Sequence, residues 1–233
     1  MGVGRAAVKG LVPLGRKVAP QLTGGFVREV LERAIDGAGP IRGAADAADA
    51  KLVSAHGDIA KAISALIDSH IRLAGAQGFV TNIGGLVTMA VTIPANVTGL
   101  ALLQCHLVAG IAHLRGYDLD DPRVRNAILA CLLGEDTVHD LVRKKKLPSN
   151  PMTLATSPVH DPLLDKKIGT EVTTELLAKV SGRRAALVVG RRIPLLGGGV
   201  GAITDGWSTH QIGHYAEREL LARRTRGSAQ TST

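Results

Sequence analysis

FVTNIGGLVTMAVTIPANVTGLALLQCHLVAGIAHL, residues 79–114, is a run of 36 residues without Asp, Glu, Lys or Arg in a chain that is 21% charged. A membrane-spanning helix needs about 20 mostly apolar residues, so length alone permits one span. Pro94 divides the run, however, and Asn96, Gln104, His106 and His113 interrupt its apolarity. Proline suits the first turn of a helix, so the second part reads as a helix from Pro94 to Arg115, roughly 33 Å long at 1.5 Å per residue. Turned at about 100° per residue, its apolar residues surround the axis: Leu103 and Leu114 share a side with Asn96, while Val108, Ala109 and Leu102 occupy the other sides. A helix apolar all round is buried in protein or in lipid. In a bilayer Gln104, His106 and His113 would each need a partner at high cost, whereas a protein interior offers ordinary hydrogen bonds. The expectation is a buried central helix of a soluble domain, with reversible insertion into a membrane or a permanent span as alternatives.

The rest of the chain supports a helical sheath. Thr23–Asp36 places Phe26, Val27, Val30, Leu31, Ala34 and Ile35 on one stripe, and GAGP at 37–40 ends it. A second helical region, 44–74, carries Ile59, Ile63, Leu66, Ile67, His70 and Ile71 at spacings of three and four, with Gly57 as a candidate break. Asp120 or Asp121 before Pro122 reads as a cap, launching the helix of Ile128, Leu129, Leu132 and Leu133 that Gly134 stops. Asp136 is expected to cap a short helix to Lys146, and residues 147–162 form a Pro- and Ser-rich connection. Leu163–Val180 reads as an amphipathic helix, Ala185–Val189 as a separate short helical segment, and Pro194 opens a last helical region, Leu195–Arg224. Its first part is glycine-rich, and Gly197 and Gly201 have the spacing at which two helix backbones can touch. The fold class is therefore all-α: a single multi-helix domain over 21–224, with the glycine-rich helix packed on the 94–115 helix. Residues 1–20 read as a basic extension and 225–233 as a disordered tail.

Only five residues are aromatic, Phe26, Phe79, Tyr117, Trp207 and Tyr215, so the core is built of Ala, Leu, Val, Ile and Gly. Cys105 and Cys131 lie in apolar helical patterns and read as two buried thiols, which favours a reducing compartment. No continuous apolar stretch of the kind a secretory signal requires follows the first basic residues. A cytoplasmic location is expected, at the inner face of the membrane where the protein attaches.

The net charge of +8 is gathered in patches: four basic residues in 1–20, Arg143–Lys146, the four arginines 183, 184, 191 and 192, and three in 223–226. Without those fifteen, thirteen basic residues face twenty acidic ones. Such patches attract phosphate. Arg143, Lys144, Lys145, Lys146, Arg183, Arg184, Arg191 and Arg192 are thus candidates for contact with an anionic surface. The bland reading of 143–146 is a helix C-terminus, where cations oppose the dipole. Few aromatics are available for stacking on bases and no nucleic-acid-binding module is recognisable, so nucleic acid is not the expected partner. Anionic lipid or a membrane protein is.

Chemistry is less legible. His210 and His214 share a helix face, as do His106 and His113, and Asp205 or Glu217 could add an oxygen ligand, so a metal site is conceivable. Gln211 stands where a zinc-protease HExxH has Glu. Asp205 otherwise reads as a helix-packing carboxyl bonded to Gln104 or to backbone. The candidate polar cluster is Gln104, His106, His113, Asp205, His210 and His214. Neither a serine in an elbow, a phosphate-cradling loop nor a dinucleotide fingerprint is present. The sequence requires no cofactor.

The succession of the apolar segment with Pro94 and Ala95, Gln104, Gly116-Tyr117-Asp118, and then Ile193, Pro194, Gly197, Gly198 and Asp205 resembles the EcsC family of bacterial proteins over roughly residues 25–220. Asn96 stands where that family often has Asp. The resemblance implies a mostly helical domain linked to transport, secretion or the cell envelope, with no established biochemical activity. The expectation is a non-enzymatic, membrane-associated protein, and the alternative is a metal-dependent enzyme using Asp205, His210 and His214.

Overall fold

A computed structural model describes residues 25–37, 39, 41–75, 95–190 and 197–223, together with the side chains of those residues except 95–97, 179–190 and 197–204. Among the described residues there are nine helices and no strand: α1 (Gly25–Asp36), α2 (Ala44–Ser54), α3 (Ile59–Gly75), α4 (Ala95–Leu114), α5 (Pro122–Cys131), α6 (Glu135–Arg143), α7 (Pro151–Thr156), α8 (Pro162–Gly190) and α9 (Gly197–Glu219). The expected extension at 1–20, the first half of the uncharged run including Pro94, Arg191 and Arg192, and the tail at 225–233 lie outside the described residues.

α4 is the central element. Ala101–Ala112 are buried without exception, Gln104 and His106 included. α1, α2, α3, α5 and α9 all pack against it. The helix is therefore covered by protein on every side, as its lack of a polar face requires. No helix among the described residues is long and apolar enough to cross a membrane.

The sheath follows from amphipathic stripes. α1 turns Phe26, Val27, Val30, Leu31 and Ala34 inward, with Ile35 at the edge of the core. α3 does the same with Ile63, Leu66, Ile67, His70 and Ala74. α2 and α3 are separate because the chain turns through His56 and Gly57, both at positive φ. α5 is capped by the Asp121 side chain, which accepts from the Arg123 amide, with Pro122 in the first turn. Asp121 is thus the cap of the two candidates.

Three expectations need correction. α6 is not capped by Asp136: Gly134 holds the N-cap at φ 82°, a conformation that favours glycine, while Glu135 and Asp136 occupy the first turn. There they complement the helix dipole without capping. The 147–162 connection contains α7, capped by Asn150, whose side chain accepts from the Thr153 amide at 3.1 Å. The helix begun at Pro162 does not stop at Val180 but continues through Gly190, absorbing the segment 185–189. One interior glycine costs about 1 kcal/mol, so Gly182 weakens a helix of 29 residues without ending it.

α9 packs on α3 and on α4. The surroundings of its glycine-rich start are not described; the close approach documented lies further along, at Gly213. A Cβ there would stand 3.1 Å from both Ile67 Cγ1 and Leu107 Cδ2, where α3, α4 and α9 meet. Valine brings two further carbons into that space, and overpacking costs about 1–3 kcal/mol. Gly213→Val is expected to lower the urea unfolding midpoint accordingly with helical content retained; an unchanged midpoint would contradict three-helix packing at this point.

Candidate functional site

The structure distributes the predicted polar residues over three places. The first is a buried layer around α4. Gln104 donates from Nε2 to Ser208 Oγ at 3.3 Å and Thr209 Oγ1 at 3.5 Å on α9. Thr209 in turn donates to the Asp205 carbonyl at 2.8 Å, and Asp205 is buried. His106 is bonded at both ring nitrogens: Nδ1 lies 2.9 Å from His70 Nε2, and Nε2 lies 3.0 Å from the Arg42 carbonyl oxygen. His70 Nδ1 lies 2.8 Å from the Leu66 carbonyl oxygen, and the two imidazoles stack with centroids 5.1 Å apart. His106 has no spare nitrogen for a metal. His113, at the end of α4, donates to Asp49 Oδ1 on α2 at 2.8 Å.

The second place is a cleft of about 450 Å³ between the outer face of α9 and the start of α6. Trp207, His210 and His214 form a row along it: the indole stacks on His210 at 5.7 Å, and His210 meets His214 edge-on at 4.4 Å. These spacings follow from the i, i+3, i+7 positions of one helical stripe. His214 Nδ1 lies 3.1 Å from Glu217 Oε2 and donates to it. Arg218 donates to Glu135 at 2.6 Å across the two walls. Trp207 is 62% exposed. His210 and His214 are thus brought together, but His106 and His113 have partners of their own. Among the described residues no group of three or more His, Cys, Asp or Glu is placed to hold a metal ion.

The third place comprises the end of α6 and the start of α8, joined by one ion pair, with the 157–161 segment leading into α8. Arg143 and Lys144 both pair with Asp140, at 2.6 and 3.1 Å, and Lys146 lies 3.5 Å from Glu171 of α8. The cluster therefore caps a helix end and is partly neutralised, while all four cations stay accessible. Leu163, Lys167 and Glu171 are spaced four apart on α8 and share one side of it. Val159 is 72% exposed and Leu163 80%. Arg183 and Arg184 lie on α8, but their side chains fall outside those described.

Two features escaped sequence reasoning. Arg28 donates to Asn126 Oδ1 at 2.9 Å and pairs with Asp165 at 3.8 Å, Asn126 donates to Asp165 at 2.6 Å, and His160 donates to the same carboxylate at 3.0 Å. This network ties α1, α5 and α8. Nothing local in the sequence announces it, since the partners are separated by 39 to 137 residues except His160 and Asp165. The His70–His106 pair was equally hidden: each residue reads alone as a polar interruption of an apolar stripe. Cys105 and Cys131 are buried thiols whose pKa burial pushes up, and they carry no reactivity at neutral pH.

Burial pushes the His70 pKa down to about 4, helped by the like charge of His106 and of Lys51, and burial also lowers that of His106. An unfolded histidine titrates near 6.5, so between about pH 6.5 and 4 the unfolded chain binds more protons than the folded one. Folding stability is fully present above that window and is lost as the pH falls through it. Urea midpoints at pH 7 and pH 5 are expected to differ more for the natural chain than for His70→Gln; equal differences would show that His70 makes no such contribution.

No curated protein and no solved structure matches the chain. The model of the EcsC protein family matches residues 48–224, from α2 to the end of the described structure. The chain belongs to the EcsC protein family.

Proposed function

We propose that the protein is a peripheral binder of anionic membrane surfaces, and that the face formed by the end of α6, Val159 and the start of α8 makes the contact. The observation carrying this reading is the exposure of Val159 and Leu163, 72% and 80%, beside lysines on the same rim. Both side chains stand in solvent four residues apart in sequence. Lys166 and Lys167 follow Leu163 within a turn and are exposed. Lys146 reaches Glu171, two turns further along, roughly 12 Å from Leu163 at 1.5 Å per residue. Lipid phosphates suit the cations, and the shallow acyl boundary suits the two apolar tips. Asp140 and Glu171 hold the lysines in place while lowering the net charge, so attachment is reversible and sensitive to salt.

Co-sedimentation with vesicles containing phosphatidylglycerol, against pure phosphatidylcholine, tests this. Binding to the anionic vesicles alone, weakened by salt, is expected. Each basic residue near such a surface contributes about 1 kcal/mol, so Lys145→Gln with Lys146→Gln is expected to lower the partition coefficient about thirtyfold. Leu163→Gln keeps the net charge and is expected to weaken binding as well, reporting insertion separately from attraction. Equal binding to both vesicle types, or none to either, removes the reading; the latter result would direct the search to a protein partner.

A further inference from the structure

The two buried imidazoles of His70 and His106 form the middle of a linear chain: Leu66 carbonyl, His70 Nδ1, His70 Nε2, His106 Nδ1, His106 Nε2, Arg42 carbonyl, with contacts of 2.8, 2.9 and 3.0 Å. Both ends are carbonyl oxygens, which only accept. Each contact therefore needs one proton lying in it, three in all. Two neutral imidazoles carry two protons between them. With two, one contact sets a nitrogen lone pair against an oxygen or nitrogen lone pair. With four, two N–H groups collide between the rings at 2.9 Å. Three protons on four nitrogens satisfy every contact, and that state carries one net positive charge shared by the pair.

We propose that the His70–His106 pair is a built-in site for one proton, and that filling it fastens the Arg42 carbonyl, and with it the entry into α2, onto α4. A neutral pair leaves one of the three contacts without a proton, and because the Leu66 contact is held within one turn of α3 and the inter-ring contact between two packed helices, the proposed gap is the contact to Arg42, which lies outside both. The site thus acts at the joint between α1 and α2. That joint has little slack: a Cβ on Gly43 would stand 2.6 Å from the Ile35 carbonyl oxygen.

The surroundings set the range in which the proton enters. His70 is 4% exposed and His106 5%, and burial disfavours the charge. On α2, Lys51 adds a like charge that opposes protonation of His70, while Asp49 is engaged by His113 and Asp46 is exposed. On α1, Arg28 pairs with Asp165 and Arg33 with Glu29, and Glu32 and Asp36 are exposed in its second half. On α5, Arg123 and Arg125 pair with Asp121 and Asp120. α9 contributes Asp205, buried, besides His210 and His214 in the cleft. Asp68 and Arg72 on α3 are exposed, and Cys105 on α4 is a neutral thiol. Arg42 itself directs its side chain to solvent.

Long-range proton–nitrogen spectra of the full chain, with nitrogen-15 in its histidines, read the site between pH 8 and pH 4. The expected result is a single step below the ordinary histidine range, in which the two rings move together and the pair gains one proton in total. Exchange of the Gly43 and Ala44 amides, corrected for the intrinsic effect of pH, is expected to slow at least threefold across the same step. His70→Gln serves to assign the signals, and the natural chain alone decides the question should that variant fail to fold. Independent titration of the two rings, uptake of two protons by the folded chain, or no uptake before unfolding would overturn the proposal.

Discussion

The structure depends on one constraint: α4 has no side that water can face. A helix of 20 residues whose interior positions are all buried must be met from every direction. This fixes the positions of α1, α2, α3, α5 and α9 around it, each offering one apolar stripe. The materials match the demand. Ala, Gly, Leu and Val let backbones come near one another, as at Gly213, and among the described residues only three large rings, Phe26, Tyr117 and Tyr215, enter the core. The polar groups that α4 brings inward must then be bonded within the protein, which is why Gln104, His106 and His113 each reach a different neighbouring element.

That same constraint divides the molecule into an interior that holds polar groups tightly and a periphery where chemistry can occur. The interior groups are bonded at short range and excluded from solvent. The α9 cleft and the α6–α8 face are accessible; α9 packs on α4 through Gly213 and turns Trp207, His210 and His214 into the cleft.

Much of the fold is legible in the residues themselves. The uncharged run, Pro94 and the period of α1 and α3 suffice to place the helices and to name the central one, since burial on all sides is a property of local composition. The pairing of polar groups is a property of the assembled helices. His70 and His106 are 36 residues apart, and Asn126 and Asp165 are 39 apart, so no spacing rule could have joined them. The two-part reading of α8 follows the pause in its apolar pattern at residues 181–184, which the helix crosses. The Asp136 cap failed because Gly134 can take a backbone angle at which the helix starts without a side-chain acceptor. The family resemblance, spread over the domain, identified the lineage but assigned no role to any residue. For the same reason, the cleft and the exposed apolar tips had to be found in the structure.

The aromatic poverty of the chain has one optical consequence. Its single indole, Trp207, stands in the cleft against His210 and is largely open to solvent. The intrinsic fluorescence of this protein is therefore a local gauge. It registers whatever enters or leaves that cleft.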